Sequence, residues 1–235
     1  MKKNPILIFS VIALFSLTAH VFAQSKKAVP PIRSAPAAPA ETSRDNSRTN
    51  FSGFFDGSTY KNKFFGLKIT VPESWMIQGN ATNREIKQLG ADSVKGKNEQ
   101  TEKALDAAID RLTVLFTASK DILGMENNAI MIFSAEKAPP AVQIRNGEDY
   151  MRLTLQSFKR VQLPPDFKYS ETISSEKLGS ETFYSLDIQR TGYKQRFYAT
   201  ARKGYSLFFT LTYISASDLE TMKTVIRDSD FAWKG

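Results

Sequence analysis

No cysteine occurs in this chain, and that absence removes disulfides, thiolate metal sites and cysteine nucleophiles together. A single histidine, His20, falls in an N-terminal stretch that reads as a removable export signal. The exported protein would then hold none, which excludes Ser-His-Asp triads, histidine general bases and His-ligated zinc, copper or haem. Carboxylates, lysine, tyrosine, serine and threonine remain for any chemistry. An exported domain without disulfides must hold itself together by burial, and about 185 residues suffice for one core.

The export reading rests on Lys2 and Lys3, an apolar run from Ile6 to Leu17, and small residues in Val21-Phe22-Ala23. This is the three-part pattern of a secretory signal, so 1–23 is expected to be cleaved. The apolar run is too short to span a bilayer, which takes about 20 residues. Localisation is therefore expected to be periplasmic or secreted, with no transmembrane span after cleavage. Residues 24–57 follow as a Pro/Ala/Ser-rich leader carrying Pro30, Pro31, Pro36 and Pro39 and few large apolar groups. It reads as a disordered spacer or as a docking tail for an anionic surface.

The net charge of +8 is unevenly placed. Lys2 and Lys3 carry two of those charges, and Gln24 to Asn50 carry a further three net, leaving +3 for the domain. That remainder does not point to nucleic acid.

Residues 58–235 read as one domain. Leu67, Ile69 and Val71 alternate with polar neighbours and stop at Pro72, the pattern of a strand. Helical sequence over 81–112 breaks near Gly90 and Gly96, with Leu105, Ala108, Ile109 and Leu112 on one face. Strands are expected at 113–117 and 129–135, and a helix over 147–161 closed by Pro164-Pro165. Four strand-like runs follow, at 168–176, 182–190, 193–201 and 205–214, with Thr191-Gly192 and Lys203-Gly204 as tight turns. A last helix starts at Ser217, with Glu220 completing a capping box. The meander is apolar on both faces, which predicts an α/β/α sandwich: a central, mainly antiparallel sheet covered by helices on both sides.

Tyr60-x-Asn62-x-x-Phe65-Gly66-Leu67-x-Ile69-x-Val71-Pro72-x-x-Trp75 resembles the opening of PsbP-like domains. Arg202-Lys203-Gly204-Tyr205-Ser206-Leu207-Phe208-Phe209-Thr210 and a terminal helix ending Ser229-x-Phe231 resemble their closing strand and helix. That superfamily includes the extrinsic photosystem II subunit, the Mog-type factor and bacterial DcrB-like exported proteins. The resemblance implies an α/β/α sandwich that binds other macromolecules and has no catalytic apparatus.

The chemistry-bearing patterns are few. Gly90 to Lys97 has one residue too many between its glycines for a phosphate loop. Asp106 with Asp110, and Asp228 with Asp230, offer too few oxygens for a hard cation and read as solvated surface. Ser185, Asp187 and Gln189 share a strand face, and Lys194 would serve Ser185 as a base only from that same face. Lys194, Arg196, Tyr198, Thr200 and Arg202 form a basic ridge on the following strand, with Arg190 close by. The expected contact residues for an envelope protein or anionic surface are thus Arg190, Lys194, Arg196, Tyr198 and Arg202. A solvated or helix-covered strand face is the alternative. No catalytic residue, metal site or cofactor is assigned, and the chain is expected to be a monomer. The leading expectation is a non-enzymatic exported binding or scaffolding domain. A carboxylate-dependent hydrolase using Asp187, and a structural or stress-related envelope protein, stand beside it.

Overall fold

The computed structural model describes residues 51–92, 98–138 and 142–234. The stretch read as an export signal, the expected leader up to residue 50 and residues 93–97 of the glycine-flanked stretch lie outside the described residues. In chain order the strands are β1 (Phe54–Asp56), β2 (Thr59–Asn62), β3 (Leu67–Thr70), β4 (Met76–Ile77), β5 (Leu112–Ser119), β6 (Ile130–Lys137), β7 (Lys168–Tyr169), β8 (Ser174–Leu178), β9 (Glu181–Arg190), β10 (Tyr193–Arg202) and β11 (Tyr205–Tyr213). The helices are α1 (Asn80–Asp92), α2 (Glu99–Arg111), α3 (Gly147–Phe158) and α4 (Ala216–Arg227).

The fold is mixed α+β, with more sheet than helix, and every strand pair is antiparallel. The large sheet runs β4-β5-β6-β11-β10-β9, with β7 and β8 both paired to the outer edge of β9. The small sheet is β1-β2-β3. Two-residue connections make the β9-β10 and β10-β11 hairpins. At the second, Lys203 and Gly204 both have positive φ, 53° and 78°, the backbone that a type I′ turn requires.

Alternation divides the central strands between two cores. On β11, Leu207, Phe209 and Leu211 enter one, and Phe208 enters the other. Ile86 of α1, Leu105 and Ala108 of α2, and Tyr150, Met151 and Phe158 of α3 join the core that holds Phe208. There the Tyr150 and Phe208 rings stack with centroids 5.5 Å apart.

The other core is covered differently. Tyr60, Leu67 and Ile69 from the small sheet and Met222, Val225 and Ile226 from α4 meet Phe133, Tyr198 and Phe209. This second layer is a small sheet with one helix beside it, where the sequence suggested a helical layer. Turn glycines at positive φ, Gly57 (58°) and Gly66 (68°), let residues 54–70 fold back into three short strands. Trp75 is buried in this core, the packing position that its place after Pro72 suggested.

Two boundaries shift. β1 lies inside the stretch assigned to the leader, and Phe51 packs against Phe64, Phe65 and Tyr205. The ordered fold therefore begins before residue 58. The cap of α4 is Ser215, whose Oγ accepts from the Asp218 amide at 3.1 Å. The Ser217–Glu220 pattern falls within the exposed first turns of that helix.

Candidate binding surface

Register places the ridge. Arg196 lies opposite Asp187 on β9, Tyr198 opposite Ser185, and Lys194 opposite Gln189. Cross-strand partners share a sheet face, so Lys194, Arg196, Tyr198 and Arg202 do point the same way. That face is the one covered by the small sheet, α4 and the C-terminal segment, and β8 continues it beyond the edge of β9.

Arg196, Tyr198 and Arg202 are engaged there. Arg196 donates through Nε and Nη2 to the two Asp187 oxygens at 2.6 and 2.7 Å. Tyr198 is fully buried, and its hydroxyl donates to Glu176 of β8 at 2.6 Å. Lys223 of α4 reaches the other Glu176 oxygen at 2.8 Å. Arg202 donates to the carbonyls of Phe65, at 3.1 Å, and Phe231, and to the Glu181 carboxylate. It thereby joins β10 to the segment before β3 and to the chain after α4. Lys194 is exposed.

The electrostatics follow from these pairings. The hydrogen bond to Asp187 pushes the Arg196 pKa further up, so its charge is permanent. Burial, helped by the bond to Glu176, lifts the Tyr198 phenol above its ordinary range. Burial works to raise the Glu176 pKa, but the bonds from Lys223 and Tyr198 outweigh it, and the carboxyl is held low.

Arg190 belongs to the opposite face. Its guanidinium lies 5.7 Å from the Phe167 ring centroid and 5.9 Å from that of Tyr193, with Nε donating to Asp166 at 2.9 Å. Asp166 also accepts from the Thr191 amide at 3.1 Å, so the pair pins the β9-β10 turn to the loop before β7. Burial pushes the Tyr193 phenol up to about 12.

These placements bear on the hydrolase reading. Lys194 does share the face of Ser185 and Asp187, but it stands opposite Gln189, four positions along β9 from Ser185. At about 3.3 Å per residue the two are roughly 13 Å apart along the strands. Asp187 is clamped by Arg196. Asp106, Asp110, Asp228 and Asp230 are all exposed, and among the described residues no group of three or more metal-ligating side chains gathers.

A second surface was not singled out in the sequence. A groove of about 700 Å³ runs between α4 and the turn-and-strand wall formed by Ser58, Thr70 and Glu73. Pro72 lies on its floor beside the buried Val71 and Val225, while Ser217, Glu220, Thr221, Thr224 and Asp228 line the helix side. Among the described residues its lining holds three carboxylates and no lysine or arginine. Of the α4 cations, Lys223 reaches Glu176 and, at 3.5 Å, Glu220, and Arg227 contacts the Thr224 hydroxyl at 3.5 Å. The available signal was the spacing of Ser217, Thr221 and Thr224, hydroxyls at i, i+4 and i+7 on the outer face of an amphipathic helix.

No helix among the described residues is long and apolar enough to cross a membrane. No protein-family model and no curated protein matches the chain. Among solved structures it is similar to that of LpqN, a Mycobacterium tuberculosis protein involved in cell envelope biogenesis. The identity is 9%, over 69% of this chain and 81% of that one, with a TM-score of 0.36. A likeness that distant carries no argument about function.

Proposed function

We propose that this chain is an exported, non-catalytic binding or scaffolding domain of the PsbP-like kind, with the groove beside α4 as its contact surface. The observation that carries the reading is a contrast in how charged side chains are used. Arg196, Tyr198, Arg202 and Glu176 are turned to holding β10, β8, α4 and the C-terminal segment together. Glu73 and Asp228 are exposed around an open groove, where Glu220 beside them shares Lys223 with Glu176. Such a lining suits a cationic partner with apolar side chains, since complementary potential and a buried apolar centre are the ordinary parts of a contact site.

Of the basic ridge, Lys194 is the residue positioned to touch a partner directly, and Arg190, Arg196, Tyr198 and Arg202 act by shaping the domain. In-cell crosslinking and affinity capture of the tagged protein tests the assignment. Capture lost in Glu73→Lys/Asp228→Lys and retained in Lys194→Glu is the expected result. The reverse pattern would move the contact to the β9-β10 end and remove the groove from the reading.

A further inference from the structure

The groove reading leaves one question that the sequence itself addresses: which cationic segment fits an acidic groove that sits on the same polypeptide as a basic leader. We propose that the leader docks into this groove in cis, through the stretch Lys26 to Arg33. The inference rests on the groove being a binding surface, and adds the identity of its resident occupant.

Charge complementarity is the first argument. Residues 24–50 carry Lys26, Lys27, Arg33, Arg44 and Arg48 against Glu41 and Asp45, while the described lining of the groove holds Glu73, Glu220 and Asp228, with Lys223 3.5 Å from Glu220. Pattern is the second. Lys26 and Lys27 on one side and Arg33 on the other flank Val29-Pro30-Pro31-Ile32. An apolar centre with cations at both ends matches a floor at Pro72 with carboxylates on both walls. Paired prolines favour the extended polyproline conformation, so this segment loses little entropy on lying flat.

Reach is the third argument. The leader joins the fold at Phe51, which is held by its ring contacts and by Asn62 Nδ2 donating to its carbonyl at 2.6 Å. From Phe51 to Ser58 on the groove wall is seven residues, a span of at most about 25 Å. The residues between Arg33 and Phe51 can extend about 55 Å at 3.1 Å each, so the stretch reaches the groove with slack. Tethering on this scale gives a millimolar effective concentration, and a weak intrinsic contact is enough to keep the groove occupied. An external cationic partner must then displace the leader before it binds.

The absence of cysteine makes the test clean. Ile32→Cys is combined with Thr221→Cys in the groove or, as control, with Gln156→Cys on the exposed face of α3, across the large sheet. The proteins are purified from the exported fraction, and intramolecular disulfide closure under mild oxidation is timed. Closure at least tenfold faster for the Thr221 pair, with the advantage lost in Glu73→Lys/Asp228→Lys, is the expected result. Both reversals are at exposed positions, and lysine at the end of α4 suits the helix dipole, so folding is retained and is checked by circular dichroism. Equal closure for the two pairs would overturn cis docking, as would a disulfide formed only between two molecules. Equal closure together with partner capture that depends on Glu73 and Asp228 would overturn the leader as occupant and leave the groove as the contact surface.

Discussion

Arg196 and Asp187 face each other across β10 and β9 and are joined by two hydrogen bonds, so the best carboxylate for a reaction is held as half of a fork-shaped ion pair. The Asp187 side chain is half exposed and that of Arg196 one quarter exposed, which puts the pair in a well-solvated setting. Planar two-point geometry places its coupling at the upper end of surface pairs, about 1 kcal/mol. Arg196→Ala, Asp187→Ala and the double variant, compared by urea unfolding, should give a coupling of that size. Coupling near zero would show the pair to be incidental to stability.

Acid should loosen the fold through two particular carboxyls. The hydrogen bond from Arg190, with that from the Thr191 amide, holds Asp166 well below its ordinary 3.8. Glu176 is held below 4.5 because Lys223 and Tyr198 outweigh the opposing effect of burial. A depressed carboxyl adds stability above its unfolded value and loses it as pH falls through the folded one. Unfolding free energy should therefore drop as pH falls from about 4.5. Asp166→Asn and Glu176→Gln should each start less stable at neutral pH and show a shallower acid decline. An unchanged slope in both variants would place acid sensitivity elsewhere.

The parts of this architecture that local pattern controls were readable in advance. The run of β11, apolar on both faces, the turn pairs Thr191-Gly192 and Lys203-Gly204, and the apolar face through Leu105 and Ala108 all became the elements expected of them. The shared orientation of Lys194, Arg196, Tyr198 and Arg202 also followed from alternation. What alternation cannot supply is the partner of a face. Tyr198 looks like surface in the sequence because Glu176 and Lys223 are 22 and 25 positions away, and only the packing of β8 and α4 brings them together. The make-up of the second layer is hidden in the sequence for a similar reason. Strands of three and four residues such as β1 and β2 carry too little periodicity to stand out from a polar leader. The groove depends on two elements about 150 positions apart, β3 and α4, and only its hydroxyl-lined helix face left a trace in the sequence.

Gly147 shows how closely α3 seats on the sheet. A β-carbon there would lie 2.0 Å from the Ala199 carbonyl oxygen and 2.6 Å from its carbon, both rigid backbone atoms. Gly147→Ala must lift the start of α3 off β10, and overpacking of this kind costs about 1–3 kcal/mol. Gly192 makes a useful contrast, because space is open around it and only its φ of 87° opposes a side chain. Gly192→Ala should cost about 1 kcal/mol, the ordinary penalty for left-handed backbone. Thermal melts of the two variants should separate them, with Gly147→Ala the lower. The opposite order would mean that α3 has room to shift.

Tyr150 carries a second bond between α3 and the sheet. Its hydroxyl donates to Glu136 Oε2 at 2.6 Å, while Arg111 of α2 reaches Oε1 at 3.5 Å, and Glu136 itself is 1% exposed. One carboxylate at the end of β6 thus ties two helices to the strand. Tyr150→Phe keeps the ring stacked on Phe208 but takes a donor from a buried carboxylate, which costs about 1–3 kcal/mol. The urea midpoint should fall while the dependence on denaturant stays constant, because the same surface is exposed on unfolding. Adding Glu136→Gln to Tyr150→Phe should cost less than it does in the native background, since the charge that suffers from the lost donor is removed with it. Strict additivity of the two changes would show that the phenol and the carboxylate stabilise the layer independently.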